Sequence, residues 1–215
     1  MIGIERYSKV KYEVFRYRDQ AKVWQKVLFA VGLASLTGAM AQVRVALPWS
    51  PVPITLQTFV VLLSGVVLGR KWGAISQALY LGIGALGMPW FTGYGSGLQA
   101  LAGPTGGYLT GFILAALLIG YFTDTYIKSR SFFYMLGLMV FANFIIIYGL
   151  GIAQLSLYLS WVKGVEVNLF NLFWMGIIPF IPGDLTKAIA AAAIARTITP
   201  KQSYNKEIDE PSFTS

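Results

Sequence analysis

Asp184 and Lys187 stand three positions apart in FIPGDLTK (180–187), directly before AIAAAAIA, a run suited to lipid. A carboxylate and an ammonium at that spacing share one helix face and can neutralise each other. An ionisable side chain within a membrane span costs at least about 2.5–3.5 kcal/mol on insertion scales, so it faces the protein interior or water and usually marks a binding site or pathway. Pro179 and Pro182 break the preceding helix, and Pro182 suits the first turn of a new one, which puts Asp184 near a helix N-terminus. Two readings follow. Either the pair is self-satisfied and helps a helix insert, or a broken helix carrying charge builds a substrate site, as in transporters. In the second reading the carboxylate accepts from N–H groups and the ammonium attracts an anion. A small ligand with a polar N–H head and a carboxylate fits that chemistry.

Arg44, near the outer end of the first apolar run, Gln57, Tyr94, Gln99, Tyr108 and Asn143 are further polar residues that such a site can use. Each has an ordinary alternative. Tyr is enriched at membrane interfaces in any case, and Arg44 either supplies a second cation for a carboxylate or snorkels to the outer surface.

Most catalytic constellations lack raw material. There is no Cys and no His, so disulfides, thiolate chemistry, the commonest metal ligand and the usual neutral-pH base are all missing. LGIGALG (81–87) contains G-x-G-x-x-G, but it ends a membrane span instead of joining a strand to a helix. No G-x-x-x-x-G-K-[ST] occurs, so an ATP-driven step has to come from a partner.

The elements that must hold these residues are membrane helices. Of 215 residues, 56% are hydrophobic and 12% charged, against about 25% charged in soluble domains. Apolar runs near 27–46, 54–69, 72–88, 108–127, 132–161 and 171–195 predict six spans with both termini on one side. Charge fixes the side: fourteen Lys/Arg fall in the segments then placed inside, including seven in the first 26 residues, whereas the outer loops hold Lys163 alone. The net charge of +8 is therefore a topology signal and not a nucleic-acid footprint. The polar start also carries Glu5, Glu13 and Asp19 and precedes an apolar run too long for a signal peptide, so it reads as retained. The expected organisation is a basic cytoplasmic extension (1–26), a membrane domain (27–196) and a cytoplasmic tail (197–215).

The outer segments LPWSPVP (47–53) and PWFTGYGSGLQALAGPTGG (89–107) are uncharged and rich in Pro, Gly and aromatics. Such non-helical backbone must sit in water or line a protein-walled cavity, which predicts an outward-facing pocket. In GPTGGYLTGF (103–112), Thr105 is the expected N-cap, and Gly111, one turn beyond Gly107, allows close helix packing. Ala30, Ala34 and Gly38 recur on one face of the first span. Faces of this kind serve either docking or packing within the bundle.

SPVPITLQTFVVLLSGVVLG (50–69), YLGIGALGMPWF (80–91), GPTGGYLTGF and FIPGDLTKAIAA (180–191), in that order, resemble the BioY family. These are the biotin-specific substrate-binding components of energy-coupling factor (ECF) transporters, and the resemblance extends over about residues 27–196. It implies an all-α integral membrane protein of six transmembrane helices with cytoplasmic termini. Such a component captures biotin from outside, uses no cofactor and catalyses no reaction. The implied partners are a transmembrane coupling component, two ATP-binding-cassette subunits and membrane lipid, in a cytoplasmic membrane. The G-D-x-x-K motif matches Gly183, Asp184 and Lys187, which implies ureido N–H groups on Asp184 and an anionic or carbonyl oxygen on Lys187. The loop around Gly93–Gly97, with Tyr94, resembles a lid, and Ala30 and Ala34 resemble the surface that docks on the coupling component. Arg44 has no counterpart in this pattern.

Three rivals remain at this level. A related component for another vitamin is separated by ligand competition. An integral-membrane enzyme using Asp184 as acid or base predicts lost turnover with retained binding when Asp184 is replaced. A proton-coupled secondary transporter predicts uptake that collapses with an uncoupler, and internal symmetry, of which the sequence has none.

Overall fold

An apolar segment in lipid must satisfy its own backbone hydrogen bonds, which a helix does alone, and this chain is helical almost throughout. The computed structural model describes residues 2–166, 168–205 and 207–209, with side chains from residue 5 onward. Lys206 and residues 210–215 of the expected tail lie outside the described residues. The charged start forms α1 (Ile2–Gln20), and the first apolar run forms α2 (Val23–Gln42). A short antiparallel ribbon of β1 (Arg44–Val45) and β2 (Ile54–Thr55), with Arg44 opposite Thr55, closes the Pro-rich loop between them. There follow α3 (Gln57–Ala85), the short α4 (Leu98–Ala102), α5 (Gly106–Thr125) and α6 (Phe132–Phe141). A π-helical turn (Ala142–Ile147) then leads into α7 (Tyr148–Leu157), and α8 (Leu169–Gly176) and α9 (Ile181–Ile198) complete the chain.

Five helical stretches are long and apolar enough to cross a membrane: Val23–Gln42, Gln57–Ala85, Gly106–Thr125, Phe132–Val162 and Leu169–Ile198. The second of these is two spans. Gly69 has φ 77° and ψ −176°, a region essentially reserved for glycine, and the chain reverses there. A Cβ on Gly73 would lie 2.9 Å from Gly65 Cα, so the limbs 57–68 and 70–85 return along each other. The fold is thus the expected six-span all-α membrane protein. The expected 54–69 span starts later, because residues 54 and 55 pair in the ribbon, and the hairpin turn takes one residue where two are expected.

Lipid supplies no hydrophobic drive between helices, so close backbone approach matters. A Cβ on Gly65 would meet Ala116 O at 2.5 Å, and one on Gly120 would meet Arg70 N at 2.5 Å, which seats the α3 hairpin against α5. Arg18 of α1 reaches the same end of the bundle, donating to Asp124 at 2.6 Å, Tyr204 at 2.9 Å and the Val66 carbonyl at 3.2 Å. There Arg130 is buried, paired with Glu207, and donates to the Thr123 and Pro200 carbonyls. Both terminal segments therefore attach at the basic end.

Candidate functional site

The last span is broken where its prolines predict. α8 stops at Gly176, a 3-10 turn holds Ile178–Phe180, and α9 opens with Pro182 and Asp184 in its first turn. Asp184 and Lys187 pair across i, i+3, with Asp184 4% and Lys187 8% exposed. Ions this buried are tolerable only when paired and hydrogen-bonded, and the surroundings supply both. Lys187 Nζ also donates to the Thr55 carbonyl at 2.7 Å and the Thr58 hydroxyl at 3.0 Å. Asp184 Oδ1 takes Lys187 and a long 3.4 Å bond from Thr58, while Oδ2 accepts from Asn143 Nδ2 at 2.9 Å and from the Tyr148 hydroxyl.

The convergence of Asn143 and Tyr148 depends on the π-helical turn. Five residues of α-helix would set them about 140° apart around the axis. Within Ala142–Ile147 the chain takes a wider turn, the Tyr148 N–H bonds to the Asn143 carbonyl, and both side chains reach one oxygen of Asp184. Asn143 is fully buried, and its Oδ1 is an acceptor without a partner among the described residues.

Above this network lies a cavity of about 410 Å³, within the range of small-molecule sites. Asp184 and Lys187 form its buried floor, and the exposed Arg44 is the third charged residue of the lining. Phe91, Leu109, Phe112, Ile147 and Phe180 make apolar walls. Gln57 joins the wall to the loop around Gly93–Gly97: it donates to Tyr80 at 2.7 Å and accepts from Thr92 at 3.3 Å. Tyr108 lines the cavity and donates to the Gly176 carbonyl at 3.0 Å. The cavity opens at the start of limb 57–68, and the Gly69 turn marks that limb's other end, so the mouth faces away from the basic end. Among the described residues no cluster of three His, Cys, Asp or Glu can hold a metal.

The model of the BioY family matches residues 12–203. The chain belongs to the BioY family. A probable biotin transporter BioY of Methanothermobacter thermautotrophicus is 52% identical over 147 residues, covering 68% of this chain and 94% of that one. The biotin transporter BioY of Thermotoga maritima is 43% identical over 152 residues, covering 70% and 83%. Among solved structures, the S-component for biotin from an ECF-type ABC transporter superposes with a TM-score of 0.70 at 26% identity, covering 80% of this chain and 89% of that one.

In this BioY-family chain the residues singled out from sequence divide three ways. Arg44, Gln57, Tyr108, Asp184 and Lys187 line the cavity, as does Gln99, and Asn143 supports its floor from behind. Gly93 and Tyr94 do not line it. Gly93, at φ 71°, packs under the Arg44 guanidinium, and Tyr94 is 71% exposed, with its backbone N–H on Gln42. Ala30, Ala34 and Gly38 are buried in the bundle, Gly38 against Trp90. Thr105 occupies the N-cap position of α5 but makes no capping bond. Thr55, Thr58 and Tyr148 are the site residues that sequence reasoning misses. Thr55 and Thr58 flank Gln57 in the motif segment, a signal that was available; Tyr148 depends on the π-helical turn.

Proposed function

We propose that this chain captures biotin as the substrate-binding subunit of an ECF-type ABC transporter in the cytoplasmic membrane. It would work with a transmembrane coupling component and two ATP-binding-cassette subunits. The observation that carries this reading is a buried, fully hydrogen-bonded Asp184–Lys187 pair at the floor of a cavity whose walls are largely aromatic and aliphatic. Biotin carries a ureido group with two N–H donors and one carbonyl, an apolar bicycle and a carboxylate on a flexible chain. The ureido group meets the floor. Thr58 makes the longest bond to Asp184, and its release frees a lone pair for a ligand N–H while Thr58 still accepts from Lys187. Lys187 faces the ureido carbonyl, the aromatic walls cover the bicycle, and Arg44 at the mouth meets the carboxylate. The distribution of basic residues supports an outward-facing mouth. The absence of a P-loop motif agrees with ATP hydrolysis by partner subunits.

Equilibrium binding of labelled biotin to the purified chain in detergent tests this, with Asp184→Asn and Lys187→Ala run beside it. Each variant should weaken binding at least about tenfold, or about 1.4 kcal/mol. Undiminished binding in folded variants would assign the pair to helix insertion, and no binding by folded wild type would overturn the biotin reading.

A further inference from the structure

The basic end of the bundle has a cavity of its own. It holds about 230 Å³ and lies between the end of α1, the start of α2, the α3 hairpin turn and the end of α5. Its charged lining is Arg18, Lys26, Arg70 and Lys71 against Asp19 and Asp124. Arg18 and Asp124 satisfy each other at 2.6 Å. Lys26 donates to the Asp19 backbone carbonyl at 2.6 Å, which leaves its charge uncompensated, and the Arg70 guanidinium lies over the Tyr121 ring at 4.9 Å. Among the described residues, Lys26, Arg70 and Lys71 form no ion pair with a carboxylate. Three basic residues outside any ion pair among the described residues therefore line one small cavity whose remaining carboxylate is Asp19.

We infer that this cavity holds the phosphate headgroup of an anionic phospholipid. Three observations select a lipid over a soluble anion. The remaining wall is apolar, made by Phe29, Leu68 and Trp72. From that wall α2 presents an exposed apolar face, including Trp24 and Leu28, along which acyl chains can lie. The cations sit at the level where apolar spans end, and basic pockets between spans at a cytoplasmic face suit anionic headgroups. The cavity is bounded by both α1 and the hairpin, so a bound headgroup also fastens the basic N-terminal helix to the six-span bundle. This gives the first 26 residues a role beyond topology.

Native mass spectrometry of the full chain, released from mixed micelles of phosphatidylglycerol and phosphatidylcholine, tests the proposal. Wild type should retain phosphatidylglycerol at least about fivefold over phosphatidylcholine, and the Arg70→Gln/Lys71→Gln variant should lose most of that preference. The charge-preserving Arg70→Lys/Lys71→Arg variant should keep it, which separates lost charge from lost folding. Millimolar inorganic phosphate should not displace the lipid; displacement would make the cavity a soluble-anion site and overturn the lipid assignment. Equal retention of the two lipids by wild type, or unchanged preference in the Gln variant, would also overturn it. The first of these outcomes would leave the cations to an acidic surface of a partner protein.

Discussion

Asn143 and Tyr148, five residues apart, donate to the same carboxylate oxygen of Asp184. A regular α-helix could not bring both there, so the geometry of the floor is set by one wide turn of backbone. Inserting one alanine after Ile145 sets the two residues six apart and should swing Tyr148 away from Asp184, whereas deleting Ile145 leaves them four apart, about 40° around a regular α-helix and still on one face. The expected result is loss of biotin binding in the insertion variant and its retention in the deletion variant, with little change in far-ultraviolet circular dichroism in either. Retained affinity in the insertion variant would show that the turn is incidental to the site.

Replacing Tyr148 by Phe keeps the ring and removes one donor to a buried carboxylate. Hydrogen bonds to charged groups contribute about 1.5–3 kcal/mol, so the variant should unfold at lower temperature in detergent. Biotin affinity should also fall, by roughly tenfold. An unchanged melting temperature would mean that Asn143, Thr58 and Lys187 alone satisfy Asp184.

Arg44 at the mouth has two readings that ligands can separate. If it meets the carboxylate, Arg44→Ala should weaken biotin several-fold, more at low ionic strength, and leave biotinamide unaffected. If Arg44 only braces the loop around Gly93–Gly97 through Gly93, both ligands should weaken equally. A titration of each ligand against both proteins decides between them.

Glu207 gives the C-terminal segment a pH dependence. Burial opposes its ionised form, but bonds from Arg130, Ser203 and the Glu207 backbone outweigh it and hold the carboxyl at about 2. A carboxyl whose folded value lies below its unfolded one stabilises the folded state above the unfolded value, here near 4.5, and that contribution fades as pH falls toward 2. Limited proteolysis should find the segment around 200–209 protected at neutral pH and increasingly cleaved below about pH 4.5. Glu207→Gln should be cleaved at neutral pH as well. A protection profile flat with pH in wild type would contradict the assignment.

Much of this architecture is legible in the sequence because lipid imposes simple rules. Apolar runs of span length, flanked by Lys and Arg on one side only, give the six helices, and two prolines before Asp184 mark the broken last span. The Asp184–Lys187 pair stands out for the same reason, since an ionised group in such a run needs a partner. Tyr148 is not legible, because it reaches Asp184 through a helical turn that no residue pattern announces. The burial of Ala30 and Ala34 is equally hidden: small residues suit close packing of any kind, and only the neighbours in space decide which. Gly69 lies between, since a glycine before Arg70 and Lys71 signals a turn but not that a single residue makes it.

The hairpin limb 57–68 has a consequence for distance travelled. It measures twelve residues, about 18 Å of helix, against a hydrocarbon core of about 30 Å. A molecule resting on Thr58 and Asp184 has therefore already descended some 12 Å into the bilayer by diffusion alone. What separates it from the basic end is a layer little more than half as thick as the membrane itself.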